Sequence, residues 1–217
     1  AMANLAWAYE FGLGTARNPE EAVRLYRQAL EADDHLPVYG YLGELMDLGI
    51  GTEKDRTEAL DLYRAGAELG DETACRNLGR LYEQGDGVRK NQGKALELYR
   101  RAARCFRLGK GVEQSDKKAA EWYRKDRKAG GRTGMLWLAW MYLNGIGVEK
   151  DRAKAEELCR QAANIRRKDR GAVFHSMYPD RRELRELIGK LEKEWEDEEL
   201  RERLRKLRLW LSGDRKE

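Results

Sequence analysis

The feature that most constrains this chain is a Gly-x-Gly motif that occurs five times. The copies begin at Gly12, Gly49, Gly85, Gly109 and Gly145. Six residues after each first glycine comes a short polar residue, and four residues later comes an alanine. The polar residues are Asn18, Asp55, Asn91, Ser115 and Asp151, and the alanines are Ala22, Ala59, Ala95, Ala119 and Ala155. Asn, Asp and Ser are typical helix N-caps, so each copy predicts a glycine loop followed by a capped helix.

The spacing of the motif predicts an array of helical repeats. Successive first glycines are separated by 37, 36, 24 and 36 residues, and a period near 36 is typical of such arrays. Apolar residues at helical spacing precede and follow each loop, so every repeat is expected to be a pair of helices. The predicted helices span about 3–12, 18–32, 38–48, 55–69, 73–84, 91–107, 116–129, 133–144 and 151–167.

One interval of 24 residues breaks this period between Gly85 and Gly109. The second helix of the third repeat and the first helix of the fourth are predicted to merge into one segment, Gln92 to Leu108. Two explanations stay open at this point: a genuinely shortened repeat, or a stretch that the chain omits.

The composition is that of a highly charged globular chain. Of its 217 residues, 41% are hydrophobic, and 43 basic against 39 acidic residues give a net charge of only +4. This balance argues against nucleic acid as a partner, and no apolar run approaches the roughly 20 residues of a membrane helix. No targeting segment is recognisable, which slightly favours the cytoplasm. A periplasmic or secreted location is left open if the N-terminus has been trimmed.

The C-terminal tail carries two apolar rows at helical spacing. They are Leu184, Leu187, Ile188, Leu191 and Trp195, followed by Leu200, Leu204, Leu207 and Leu211. A repeat array needs a terminal cap, which is one interpretation of these rows. The alternative is a tail that reaches a partner or forms oligomers through residues 181–211.

The repeated pattern resembles the Sel1-like repeat. It is clearest from Leu78-Gly79 through Tyr82, Gly85 and Asn91 to Ala102-Ala103, and it covers about residues 3–165. The resemblance implies an all-α fold, an α/α solenoid related to tetratricopeptide arrays. Its expected divisions are a five-repeat solenoid over 1–165, with the fourth repeat shortened, and a charged C-terminal helical cap or extension over 166–217.

The sequence departs from the Sel1-like pattern at several positions. Alanine replaces glycine at Ala6 and Ala139, and Cys159 replaces the repeat tyrosine. Some family members are rich in cysteine and have a disulfide in each repeat. This chain has only Cys75, Cys105 and Cys159, which are expected to be small buried residues.

No pattern of catalytic, cofactor or metal-binding residues is found. The glycine motifs lack the third glycine and the preceding strand of a dinucleotide site. The two histidines, His35 and His175, have no ligand pattern nearby. We therefore expect no catalytic residue, no cofactor and no metal site. A ligand-binding or catalytic role for the irregular region 104–134 is the alternative of a different class.

Binding is expected on the first helix of each repeat, which by resemblance to tetratricopeptide packing lines the concave side. The predicted partner-binding residues are Asn4, Trp7, Tyr41, Glu44, Asn77, Arg80, Trp137, Trp140 and Asn144. Trp137 and Trp140 stand out, because aromatic residues are frequent in binding hot spots. They have a second interpretation, which is packing against the tail of the same molecule.

The predicted function is that of a non-catalytic scaffold or adaptor for a peptide or another protein. Family members are usually not enzymes. Two alternatives stay open: an immunity or regulatory protein that blocks a toxin or enzyme, and an assembly module that oligomerises through its C-terminal helix.

Overall fold

The computed structural model describes residues 2–32, 38–109, 113–164 and 181–212. These residues form eleven α-helices and contain no β-strand. The helices are α1 (Met2–Phe11), α2 (Pro19–Glu31), α3 (Val38–Leu48), α4 (Arg56–Leu69), α5 (Glu72–Gln84), α6 (Gln92–Leu108), α7 (Asp116–Lys128), α8 (Arg132–Asn144), α9 (Arg152–Asn164), α10 (Arg181–Lys193) and α11 (Glu198–Ser212). The predicted all-α fold of helix-pair repeats is confirmed.

The chain divides into two compact units, Ala1–Ser115 and Asp116–Glu217. In the first unit, the pairs α1–α2, α3–α4 and α5–α6 pack in sequence, with α2 against α3 and α4 against α5. In the second unit, α7 packs on α8, and α8 pairs with α9. The predicted division at residue 165 rests on the repeat pattern alone and stays a prediction.

Four of the predicted N-cap residues cap the second helix of their repeat. The side chains of Asn18, Asp55 and Asn91 accept hydrogen bonds from backbone N–H groups three residues later, at 3.1, 2.9 and 3.0 Å. Asp151 accepts the equivalent bond from Lys154 at 2.9 Å. Each bond satisfies a donor that a helix leaves unpaired in its first turn.

The second glycine of the motif lies where one repeat meets the repeat before it. Gly51 has φ of +69°, and a Cβ atom there would lie 2.3 Å from the carbonyl carbon of Pro19, at the start of α2. Gly147 has φ of +63°, and a Cβ atom there would lie 2.3 Å from the carbonyl carbon of Asp116, at the start of α7. Both the left-handed backbone and the close approach require a residue without a side chain.

Glycines within the first helices make room for tyrosines of the second helices. A Cβ atom on Gly43 would lie 2.7 Å from the ring of Tyr63, and one on Gly79 would lie 2.7 Å from the ring of Tyr99. In the fifth repeat, Ala139 and Cys159 occupy the two equivalent positions, and both are fully buried. The smaller cysteine leaves more space beside the alanine methyl group than a tyrosine ring would, although the first repeat buries Ala6 and Tyr26 at the same two positions.

The merged segment of the shortened repeat is one continuous helix, α6. It runs for 17 residues and ends at Gly109, whose φ of +64° is left-handed. The prediction of a single helix over Gln92–Leu108 is confirmed.

The tail forms a helix pair that packs on the last repeat. Helices α10 and α11 contact each other, α10 contacts α8, and α11 contacts α9. All nine residues of the two predicted apolar rows are buried. At the junction, the guanidinium of Arg152 donates a hydrogen bond to the carbonyl oxygen of Glu194 at 2.7 Å and lies 5.1 Å from the centre of the Trp195 ring. The tail therefore has the position and the contacts of a cap.

Candidate protein-binding surface

The nine predicted binding residues fall into two groups, one in each compact unit. Six lie on the first helices α1, α3 and α5, and three lie on α8. Direct packing of α3 on α5 places the first helices of the second and third repeats side by side. Asn4, Trp7 and Arg80 are exposed, Tyr41 and Glu44 are partly exposed, and Asn77 is buried.

Asn77 belongs to the packing between repeats and has little surface to offer a partner. Asn77 is only 3% exposed, and its side-chain Nδ2 donates a hydrogen bond to Oε2 of Glu44 at 3.3 Å. The same carboxylate oxygen accepts from Nη2 of Arg76 at 3.3 Å. Glu44 thus joins α3 to α5 through two hydrogen bonds.

Two tyrosine–glutamate hydrogen bonds join the first and second helices of the first and third repeats and were not predicted. The Tyr26 hydroxyl donates to Glu10 at 2.8 Å, and the Tyr99 hydroxyl donates to Glu83 at 2.7 Å. In the first and third repeats, the glutamate lies two residues before the first glycine of the motif. That offset is the sequence signal that could have revealed the pairs.

Burial is the largest cause of the pKa shifts in the Tyr26–Glu10 pair. It raises the pKa of the Glu10 carboxyl above its ordinary value, and nearby Glu44 adds to the effect. Hydrogen bonding from Tyr26 opposes the shift without reversing it. Burial, the charge of Glu10 and the hydrogen bond to it also raise the pKa of the Tyr26 hydroxyl. The Tyr26 hydroxyl therefore stays protonated at neutral pH and remains able to donate its hydrogen bond to Glu10.

We expect the stability of the chain to depend on pH through Glu10. Because its folded-state pKa is raised, the folded state binds the proton more tightly than the unfolded state does. Lowering the pH from neutral through the folded-state pKa should therefore stabilise the wild type relative to Glu10→Gln, which cannot titrate. Urea unfolding of both proteins between about pH 7 and pH 4.5 measures the difference.

Glu21 supplies a control of opposite sign for this titration. Hydrogen bonding from Arg24 lowers the pKa of the Glu21 carboxyl, so its stabilising contribution is present above the unfolded pKa and is lost as the pH falls through the lower folded-state pKa. This control therefore extends the titration below about pH 4.5. The free energy of unfolding of the wild type relative to Glu21→Gln should accordingly move downwards with acid. If the free energy of unfolding of the wild type relative to Glu10→Gln also decreases as the pH falls, Glu10 is not desolvated in the folded state.

Trp7 and Arg80 are the side chains of the first group that are most available to a partner. Trp7 is 42% exposed, and its ring centroid lies 5.3 Å from that of Phe11, which is 54% exposed. Arg80 is exposed and forms no ion pair within the described part of the chain. The Tyr41 ring stacks on the ring of Tyr26 in α2, with centroids 6.0 Å apart.

The second group, on α8, contacts its own chain. Trp137 stacks on Tyr123 with ring centroids 5.8 Å apart, and Nζ of Lys190 in α10 lies 5.5 Å from the centre of the Trp140 ring. The Asn144 side chain donates to the backbone carbonyl of Trp140 at 2.8 Å. Of these contacts, the one between Lys190 and Trp140 is with the tail, as the internal-packing interpretation expects, whereas Trp137 stacks on α7. Binding at the two partly exposed tryptophans stays a prediction.

Two kinds of reactive group matter among the described residues, metal-binding clusters and cysteine thiols. No group of three or more His, Cys, Asp or Glu side chains among them could hold a metal ion. The thiols of Cys75 and Cys159 are buried, and burial raises the pKa of Cys159 to about 12. A thiol with so high a pKa is a poor nucleophile at neutral pH. His35 and His175 lie outside the described residues.

None of the helices described is both long and apolar enough to cross a lipid bilayer.

Comparison with known families gives five matches along the chain. The model of the Sel1 repeat matches residues 1–34, 40–71, 73–105, 103–125 and 133–164. The fourth match is the short one and overlaps the third, at the repeat that the sequence predicts to be shortened. A comparison with curated proteins gave no match.

Solved structures of repeat proteins are similar to this chain. A Sel1 repeat protein from Oxalobacter formigenes is 27% identical over 75% of this chain and 71% of its own, with a TM-score of 0.43. The protective antigen c5321 of uropathogenic Escherichia coli is 26% identical over 98% of this chain and 45% of its own, also with a TM-score of 0.43. The immunity protein Pa5087 from Pseudomonas aeruginosa is 18% identical over 97% of this chain and 83% of its own, with a TM-score of 0.33.

Proposed function

Because the chain belongs to the Sel1 repeat family, whose members are generally non-catalytic protein-interaction scaffolds, we propose that it binds a peptide or a helix of another protein along the first helices of its repeats. The observation that carries this proposal is the state of the side chains on α1, α3 and α5. Glu44 on α3 and Asn77 on α5 are hydrogen-bonded to each other, whereas Trp7 on α1 and Arg80 on α5 are exposed. Because the hydrogen-bonded side chains are already ordered, only a few exposed side chains lose conformational entropy when a partner binds.

The two exposed side chains define the chemistry of the partner. Tryptophan and arginine are the residue types most frequent in binding hot spots. Trp7 with Phe11 offers an apolar contact for a large aliphatic or aromatic side chain. Arg80 offers a guanidinium without an ion-pair partner in the described part of the chain, and such a group binds a carboxylate in a two-point geometry. The partner expected here is a segment that carries both an apolar and an acidic side chain.

The α8 group has a smaller part in this proposal. Trp137 and Trp140 are partly exposed, but each already has a neighbour in its own chain. Trp140→Ala should weaken binding with little loss of helicity if the tryptophan touches the partner. Unfolding of the second unit would instead assign Trp140 to internal packing.

Alanine substitutions at the exposed residues provide the main test. A peptide selected on the wild-type protein from a displayed random library would be measured by titration calorimetry. Trp7→Ala and Arg80→Ala should each weaken its binding by about 1 to 3 kcal/mol, or roughly 5- to 150-fold, since hot-spot side chains contribute this much. The helical signal and the thermal midpoint should hardly change, because both side chains are exposed.

Leu69→Ala is the matched control, because Leu69 is exposed at 69% but lies at the end of the second helix α4. It should leave the affinity unchanged. Equal affinity in the Trp7, Arg80 and Leu69 variants would overturn the assignment of the surface. A selected peptide that is rich in basic residues and lacks acidic ones would overturn the role of Arg80.

A further inference from the structure

Helix α10 of the tail carries the residue pattern of the first helix of a repeat. Gly189 in α10 corresponds to Gly43 in α3 and Gly79 in α5, with a leucine or isoleucine directly before it and a leucine two residues after it. The apolar residues beside these three glycines are at most 4% exposed: Leu42, Leu45, Leu78, Leu81, Ile188 and Leu191. The matches to the Sel1 repeat end at residue 164, so they do not include this helix.

The contacts of the tail are also those of successive repeats. The first helix α3 packs on the first helix α5, and in the same way α8 packs on α10, while the second helix α9 packs on α11. The register agrees as well, because Trp140 follows Ala139 directly and Lys190 follows Gly189 directly. Nζ of Lys190 lies 5.5 Å from the centre of the Trp140 ring. The tail therefore continues the surface of α8 onto α10, as one first helix continues onto the next.

Lys190 occupies in α10 the position that Arg80 occupies in α5. Both cations directly follow the helix glycine, and both are exposed. The carboxylate of Glu186, one turn before Lys190, is paired with Arg182 at 3.1 Å. Lys190 itself forms no ion pair within the described part of the chain. Its ammonium group is therefore available to a carboxylate from a partner.

We propose that Trp140 and Lys190 form a second peptide-binding site, which binds a segment that carries an acidic side chain next to an apolar one. The proposal rests on the proposed function, because it assigns the same class of partner to the second compact unit. The carboxylate pairs with Lys190, and the apolar side chain lies against the partly exposed ring of Trp140. An ion pair beside an indole ring is stronger than one in open water, since the local dielectric constant is lower.

The charges around Lys190 favour a peptide over a nucleic acid. Glu186 and Glu194 are exposed, one turn before and one turn after Lys190. A single carboxylate can approach Lys190 between them. A nucleic-acid backbone would bring regularly spaced phosphates towards both carboxylates, and such binding depends on cations that neutralise several phosphates.

The Trp7→Ala/Arg80→Ala double variant is the background for the test, because it lacks the first proposed site. Peptides are selected on it from a displayed random library, and their affinities are measured by titration calorimetry. The selected peptides should contain Asp or Glu beside an apolar residue. Adding Lys190→Glu should weaken their binding by about tenfold or more, because like charges then face each other. Adding Lys190→Arg should keep most of the affinity, because the positive charge remains.

Lys206→Glu is the matched control, because Lys206 is an exposed lysine of the same tail but lies on α11. It should leave the affinity unchanged, and the helical signal should be the same in all three lysine variants. Equal affinities in the Lys190→Glu and Lys206→Glu variants would overturn the proposal. Selected peptides without acidic residues, failure to select any peptide, or competition by a single-stranded oligonucleotide would also overturn it.

The two binding sites can fail separately in these experiments. The site at Trp7 and Arg80 is judged on peptides selected with the wild-type protein, whereas the site at Trp140 and Lys190 is judged where both of those side chains are absent. A double variant whose peptides depend on Lys190 supports the second site even if the first assignment is wrong.

Discussion

Gly51→Ala should destabilise the first compact unit by about 2 to 5 kcal/mol. Two costs add in this estimate. An alanine with a left-handed backbone costs about 1 to 2 kcal/mol, and forcing an atom into a filled joint costs about 1 to 3 kcal/mol more. The clash is severe because the neighbouring atoms at 2.3 and 2.5 Å are the backbone carbonyl carbon and oxygen of Pro19, which cannot rotate away.

Gly14→Ala is the control for the backbone cost alone. Its φ of +73° is close to the +69° of Gly51, but the space around it is open. It should cost only about 1 to 2 kcal/mol. Urea unfolding followed by circular dichroism gives both free energies, and hydrogen exchange of α2 and α3 locates the loss. If the two variants lose the same stability, the second glycine is required for its conformation only and not for the joint between repeats.

Ile188→Ala should destabilise the second compact unit by about 2 to 5 kcal/mol, the usual cost of removing a fully buried aliphatic side chain. Ile188 in α10 is 0% exposed, and α10 packs on both α11 and α8. Loss of packing on the tail should therefore increase hydrogen exchange in α8. This outcome distinguishes a cap from a tail that folds independently.

Leu209→Ala is the matched control in α11, where Leu209 is 46% exposed. Its cost should stay within about 0.5 kcal/mol. Light scattering of the same variants tests the assembly alternative. An Ile188→Ala protein that keeps its stability but changes from an oligomer to a monomer would show that the row mediates assembly and does not cap the repeats.

Much of the fold could be predicted because the determining interactions are local. Asn18 begins a helix through a bond to a donor three residues away, and Gly85 ends one through its own left-handed φ of +78°. The merged helix α6 was predictable for the same reason, since a missing loop leaves an uninterrupted helical pattern over Gln92–Leu108. Such features repeat at fixed offsets, so each copy supports the others.

The candidate site was predicted less completely, because exposure depends on contacts between distant residues. Helical spacing placed Asn77 and Arg80 on one stripe, but Asn77 bonds to Glu44, 33 residues away, and is buried. The pairs Tyr26–Glu10 and Tyr99–Glu83 join residues 16 apart on two different helices. Spacing along one helix carries no information about such pairs.

The sequence by itself determined the helices, their caps, the glycine loops and the repeat family, because each depends on residues within one turn or on a pattern repeated along the chain. Tertiary structure alone decided which predicted surface residues are free, with Trp7 and Arg80 exposed, Asn77 buried and Trp140 beside Lys190. It also decided that Leu5 is open where Leu42 is closed, although both are leucines at the same repeat position. The physical reason is that burial is a property of the neighbours that a side chain meets after folding, and identical residues in identical helices can meet different neighbours.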